Sequence, residues 1–167
     1  MKQSKVNAAL RDKLFAPQPE TVISAIRVLE EHGNKTYLPI LFELLIAHSE
    51  KNVRDEIQKL LGNIKDKESV VVFIDALKTP KYASIRKEIA TACWQNGMDY
   101  SAHVDVFTDL VINENWETAF EAFTVIENFE DFPPEVNIKD LKLKIARALK
   151  TADKQKQYFL EEILRMT

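Results

Sequence analysis

Glycine, proline and cysteine are scarce in this sequence. The 167 residues include three glycines, six prolines and one cysteine. Because glycine and proline are the residues that most often interrupt regular structure, little of the chain is expected to be flexible linker. The single cysteine, Cys93, cannot form an internal disulfide, which favours a reducing, cytoplasmic location.

Long apolar runs and a secretory signal are also missing. The longest apolar groupings are stretches such as 44–47 and 70–74, whereas a membrane-spanning helix needs about 20 consecutive apolar residues. Residues 1–15 carry five charged side chains and no uninterrupted apolar stretch. The sequence therefore predicts neither a membrane span nor a signal peptide.

The two signs of charge are nearly balanced. The chain has 23 basic and 26 acidic residues, which give a formal net charge of −3 at pH 7. Non-specific binding to nucleic acid depends on a strongly positive field. Nucleic acid is therefore not expected as a partner.

No arrangement of residues in the sequence points to catalysis or to a metal. The three histidines, His32, His48 and His103, include no pair at i and i+4, and Cys93 has no partner at a metal-ligand spacing. Neither a G-x-S-x-G motif nor a glycine-rich phosphate loop is present. We therefore predict no catalytic residue, no metal and no cofactor, and a protein that is not an enzyme. Cys93 is interpreted as a packing thiol, with a nucleophilic thiol as the alternative.

What the chain does have is an internal repeat. The intervals 45–53, 77–85 and 110–118 each begin at a leucine, end eight positions later and recur every 32 or 33 residues. The apolar residues around them follow helical spacing. A period of this size with helical patterning is typical of stacked helical hairpins.

The period divides the chain into hairpins, each with a first helix (A helix) and a second helix (B helix). We predict a single domain over residues 1–167, in which terminal units cover the two ends of the stack. Its predicted parts are a half-repeat at 4–16, hairpins at about 19–48, 51–79, 82–113 and 115–150, and a capping helix at 152–166.

The second hairpin carries a recognisable motif. Val53 and Arg54 open its A helix, and the run Leu-Gly-Asn-Ile-Lys-Asp at 61–66 closes it. Ile85 and Arg86 repeat the opening pair 32 residues later. This pattern resembles the HEAT repeat of bacterial HEAT-like proteins.

The resemblance implies an all-α fold, an α-α superhelix of about four HEAT-like hairpins with terminal capping helices. It also implies a non-enzymatic scaffold that binds a protein or peptide ligand on the concave face formed by the B helices. Two alternatives stay open. One is a HEAT-like enzyme or nucleic-acid-acting protein, similar to the alkylpurine DNA glycosylases or the phycobilin lyases, and the other is a structural module of a homo-oligomer.

The B helices supply the first candidate binding surface. Helical geometry places a row of apolar and acidic residues opposite the core-facing side in three of them, and basic residues in the fourth. The alternative is an ordinary solvated helix face. The candidate partner-binding residues are Ile40, Glu43, Val72, Asp75, Asp105, Thr108, Lys144 and Arg147.

Two further features are candidates for binding. Pro133 and Pro134 prevent a helix in the loop 128–137, and the loop contains Phe129 and Phe132, which need either a partner or burial against the fourth hairpin. The only two tryptophans, Trp94 and Trp116, lie near the end of one A helix and the start of the next. They either share a groove or pack between repeats.

Overall fold

The structure is a computed structural model that describes residues 7–32 and 35–167, and its described part contains α-helices and short 3-10 turns but no strand. The all-α helical-repeat fold is therefore confirmed. Within this part no helix is long and apolar enough to cross a bilayer. The helices are α1 (Ala8–Leu14), α2 (Pro19–His32), α3 (Leu38–Ala47), α4 (Lys51–Gly62), α5 (Ser69–Lys78), α6 (Arg86–Asn96), α7 (Val104–Asn113), α8 (Trp116–Glu127), α9 (Ile138–Leu149) and α10 (Lys154–Met166).

The chain divides into two compact units, Met1–Ile85 and Arg86–Thr167. The first holds α1 to α5 and the 3-10 turn Pro80–Ile85, and the second holds α6 to α10. Each unit is described by itself below. The single-domain organisation stays a prediction.

In the first unit the A helices α2 and α4 lie side by side, and α1 packs on α2. Both A helices bury their apolar stripe. Two ion pairs join their outer edges, Arg27 to Glu56 at 3.0 Å and Lys59 to Glu30 at 3.9 Å. The core side chains of these two helices include Val22, Ile26, Leu29, Val53, Ile57 and Leu61.

Arg54, near the start of the A helix α4, ties this helix to the end of the preceding B helix α3. Its Nη1 donates to the carbonyl oxygens of Leu45 and His48, the latter at 3.1 Å. Both oxygens lie at the C-terminal end of α3, where the last carbonyls have no partner within the helix. The guanidinium therefore caps the preceding B helix and places a positive charge at the negative end of its dipole.

The second unit repeats this arrangement with a different core. The A helices α6 and α8 lie side by side, the B helix α7 packs on α8 and α9, and α10 packs on α7, α8 and α9. The buried rings of Tyr100 and Phe107 meet edge to face with centroids 5.8 Å apart. Gly97 ends α6 with φ of +63°, a backbone conformation that favours glycine.

We expect Arg54→Leu to lower the free energy of unfolding by about 1 to 3 kcal/mol, because it removes charged hydrogen bonds from the end of α3. Urea unfolding, monitored by circular dichroism, measures the free energy of unfolding of both proteins. Lys51→Leu is the matched control on the same helix. Lys51 is almost fully exposed and pairs with Asp55 on its own helix at 2.5 Å, so its loss should cost no more than about 0.5 kcal/mol. Equal effects of the two substitutions would contradict the capping role.

Candidate functional site

The B helix α3 is more deeply covered than its sequence suggests. The prediction that Ile40 faces solvent is wrong, because its side chain is 5% exposed. The helix is contacted by α4, by the turn Lys35–Tyr37 and by the turn Pro80–Ile85, so little of its surface is open. Glu43 is half-buried and accepts a hydrogen bond from Lys81 at 2.9 Å.

On α5 the exposed row lies close to the predicted one. Asp75 is exposed as expected, while Val72 is half-buried. Val71, at 57% exposed, takes the outward position instead, four residues before Asp75 and seven before Lys78. The helical spacing therefore gave the acidic residue correctly and the apolar residue one position late.

On α7 one of the two predicted residues faces solvent. Asp105 is exposed, but the placement of Thr108 on the exposed face is wrong because its side chain is fully buried. Its hydroxyl donates to the Val104 carbonyl of the same helix at 2.8 Å, which satisfies it without a partner. Helix α7 is covered by three other helices, α8, α9 and α10, and its open row is Asp105, Asp109 and Asn113.

The residues predicted on α9 lie beside that open row. Lys144 donates to Asp109 Oδ1 at 2.8 Å, and Arg147 is exposed one turn further along the helix. Between α7 and α9 runs a groove of about 560 Å³, hereafter the α7–α9 groove. It is lined by Asp109, Ile112, Asn113, Asp140, Leu143, Lys144, Arg147 and Ala148.

The α7–α9 groove combines apolar side chains with both signs of charge. Leu143 is 48% exposed and Ile112 is half-buried on the opposite wall. Asp140 is held in the first turn of α9 because Asn137 caps the helix, accepting from the Asp140 amide at 3.1 Å and donating to its carboxylate at 2.7 Å. Such a surface can take a peptide that has an apolar side chain flanked by charged ones.

Of the eight residues that line the groove, the sequence predicted Lys144 and Arg147, and Asp109, Asp140 and Leu143 are among those that it missed. Asp109 lies one turn after Asp105, so the spacing of exposed acidic residues could have indicated it. Asp140 follows the helix-capping Asn137 by three residues, which is a readable start signal. Leu143 gave no signal of its own, since an apolar residue beside two basic ones is ordinary in an amphipathic helix.

The loop after α8 folds back on the second unit. The Phe129 ring lies 6.4 Å from the buried Phe107 ring, and the Phe132 ring lies 6.3 Å from Phe129, both edge to face. Both side chains are half-buried. Phe129 therefore covers α7 of the third hairpin, whereas the burial alternative placed it on the fourth.

Both tryptophans lie on A helices and keep part of their surface open. Trp94 on α6 donates from Nε1 to Glu121 Oε2 on α8 at 2.6 Å. Trp116, the first residue of α8, stacks on Phe120. Neither tryptophan lines the α7–α9 groove.

Cys93 is buried in α6 and is not suited to act as a nucleophile. Burial raises the pKa of its thiol to about 12, and a hydrogen bond with Tyr100 lowers the pKa only in part. Tyr100 is also buried, and burial raises the pKa of its hydroxyl, which pairs with Asn96 at 3.0 Å. In the part of the chain that the structure describes, no cluster of histidine, cysteine and carboxylate side chains could hold a metal ion.

Comparison with known families supports the repeat architecture. A model of HEAT repeats matches residues 7–94, more than half of the 167-residue chain. The chain belongs to the HEAT-repeat family. HEAT repeats generally serve as protein-interaction scaffolds. No curated protein matches the chain.

The buried thiol predicts a loss of stability in alkali. The pKa of Cys93 is about 12 in the native state, against an ordinary value of 9.0. Between these values the unfolded state binds fewer protons than the native state, so the free energy of unfolding falls as pH rises above about 9, by up to about 1.4 kcal/mol per pH unit.

Urea unfolding between pH 7 and pH 10.5 tests this expectation, with Cys93→Ala as the control. Alanine lacks the thiol, so its curve should start lower because of the cavity but fall less steeply above pH 9. Parallel curves for the two proteins would show that the thiol does not stay protonated in the native state.

Proposed function

We propose that this protein is a non-enzymatic scaffold that binds a peptide segment of a partner protein in the α7–α9 groove. The observation that carries the proposal is the groove itself, which has an exposed Leu143 beside the Asp109 to Lys144 ion pair and the exposed Arg147. The exposed leucine gives a peptide apolar surface to bury, and the charged side chains beside it fix the direction in which the peptide lies.

The charges of the groove define the peptide that fits it. On the α7 wall stands Asp109, with the exposed Asp105 one turn before it, while α9 carries Lys144 and Arg147 and, one turn before Lys144, Asp140. A bound segment should therefore carry an apolar side chain over Leu143, a basic residue towards α7 and an acidic residue towards α9. The ion pair between Asp109 and Lys144 is half-exposed, so a charged peptide can replace it at little cost.

A glycosylase-like function receives less support from the same groove. Such an enzyme needs a basic groove that holds a tryptophan and an aspartate together. Asp109 and Asp140 keep the α7–α9 groove partly acidic, and both tryptophans stand on the A helices α6 and α8. Scaffold binding in the cytoplasm, without nucleic acid and without a membrane, is consistent with the balanced charge and the free cysteine.

Selection of a random peptide library on the immobilised protein tests the proposal, followed by fluorescence anisotropy with synthetic copies of the selected peptides. We expect Leu143→Asp and Arg147→Glu each to weaken binding about tenfold or more, because both side chains face the groove. Their melting temperatures should change little, since both side chains are exposed.

Two control variants match these changes outside the groove. Lys150→Glu makes the same reversal of charge at the end of α9, and Val28→Asp replaces another half-exposed apolar residue, on α2. Binding by both controls should stay within about twofold of the unmodified protein. Peptides that bind equally well to the groove variants would contradict the assignment, and so would a selection that yields no binding peptide.

A further inference from the structure

A pair of stacked aromatic rings stands exposed on the A helix α8. Trp116 and Phe120 have ring centroids 5.5 Å apart and an interplanar angle of 20°. They are 45% and 42% exposed. Trp116 is held at the first position of the helix because Asn115 caps α8, accepting from the Thr118 amide at 3.0 Å. The backbone that carries the pair is therefore fixed, while much of the surface of both rings is open to solvent.

Buried rings support this pair from below. Phe123 on α8 stacks on Phe159 of α10 with centroids 4.9 Å apart, and both are almost fully buried. The ring centroid of Phe159 lies 6.1 Å from that of Phe120 and 6.0 Å from that of Tyr158. Tyr158 is the most exposed of the five rings, at 58%. The inner rings fill the core between the two helices, and the outer rings lie at its edge with much of their surface open.

A row of carboxylates runs beside the aromatic row. Glu117 and Glu121 are each one residue after Trp116 and Phe120, so both rows have i,i+4 spacing and lie about 100° apart around α8. Helix α8 contains three glutamates and no lysine or arginine. The aromatic row is therefore flanked by negatively charged side chains of the same helix.

The present partners of these carboxylates lie on α6. Lys87 pairs with Glu117 at 3.3 Å, with both side chains well exposed, and Trp94 donates to Glu121. An exposed ion pair of this kind contributes little and exchanges readily with another cation. Trp94, itself partly exposed, extends the aromatic area next to Glu121.

We propose that this surface, Trp116 and Phe120 with Glu117 and Glu121, binds an arginine-bearing peptide segment of a partner protein. A guanidinium can stack on an aromatic ring through its flat face and donate to a carboxylate through its edge. The two rows on α8 present these two acceptors side by side. The surface is distinct from the α7–α9 groove and does not depend on it.

Charge distinguishes an arginine-bearing segment from other occupants. A purely apolar partner would remove water from Glu117 and Glu121 and would offer them no new hydrogen bond, which is costly. A lysine can pair with the carboxylates but lacks the planar group that stacks on the rings. An acidic segment would be repelled.

Peptide titration tests the proposal directly. The probe is a fluorescently labelled peptide of repeated Gly-Ser-Arg units. It is compared with the same peptide carrying citrulline or lysine in place of arginine. Anisotropy should give saturable binding of the arginine peptide, with the citrulline peptide about tenfold weaker and the lysine peptide severalfold weaker. In the Trp94→Phe protein, Trp116 is the one remaining tryptophan. A titration of this variant followed by Trp116 emission should give the same Kd as its titration followed by anisotropy.

Three variants locate the binding on α8. Trp116→Leu should weaken binding of the arginine peptide about fivefold, and Trp116→Phe should restore part of it. Glu117→Gln combined with Glu121→Gln should weaken binding to a similar degree and reduce its dependence on salt. Glu127→Gln is the matched control, because it removes an exposed carboxylate from the same helix away from the rings, and it should leave the affinity unchanged.

Several results would overturn the proposal. Equal binding of the arginine and citrulline peptides would show that charge and stacking play no part, and equal weakening by Glu127→Gln would show a response to net charge alone. Should Trp116→Leu fail to fold, the Trp116 indole resonance of the unmodified protein decides, since it must shift with the arginine peptide and stay still with the citrulline peptide. Leu143→Asp and Arg147→Glu should leave this binding intact, so its outcome is independent of the α7–α9 groove.

Discussion

The structure depends on one constraint, which is that a single helical hairpin cannot bury the apolar faces of its own two helices. Helix α8 illustrates it, because its buried residues Ala119, Ala122 and Phe123 need α6, α7 and α10 around them at the same time. The recurrence of apolar residues every 32 or 33 positions follows from this need, since each hairpin must present the next with a matching surface.

Contacts between neighbouring helices then decide which polar side chains remain available. In the first unit Arg27 and Glu56 join adjacent A helices, and in the second unit Lys87 and Glu117 do the same. Exposed pairs of this kind add little stability. Arg54 differs because it reaches the carbonyl end of α3, where an unpaired oxygen would be costly. Arginine therefore contributes more to stability at position 54, where it caps α3, than at position 27, where its side chain is exposed.

The sequence was sufficient to predict the helices and insufficient to predict which of their faces are covered. Periodicity reports the side of a helix that faces its own hairpin, and it correctly gave Asp75, Asp105 and Arg147 as exposed. It failed for Ile40 and Thr108, because α3 and α7 are each contacted by several other elements and are therefore covered on more than one side. Pairing Lys144 with Asp109 also required the fold, since 35 residues separate them.

The exposed rings of α8 are difficult to explain by packing alone. The inward side of this helix is filled by alanine, valine and isoleucine together with Phe123, and that ring already stacks on Phe159. Trp116 and Phe120 lie at the edge of this contact, where the Phe120 and Phe159 ring centroids are 6.1 Å apart, and both keep nearly half of their surface in water. A polar residue at position 116 would avoid exposing apolar area and would leave the stacked Phe123 and Phe159 rings in contact. Two stacked rings beside two carboxylates are better explained by what they can bind than by what they hold together.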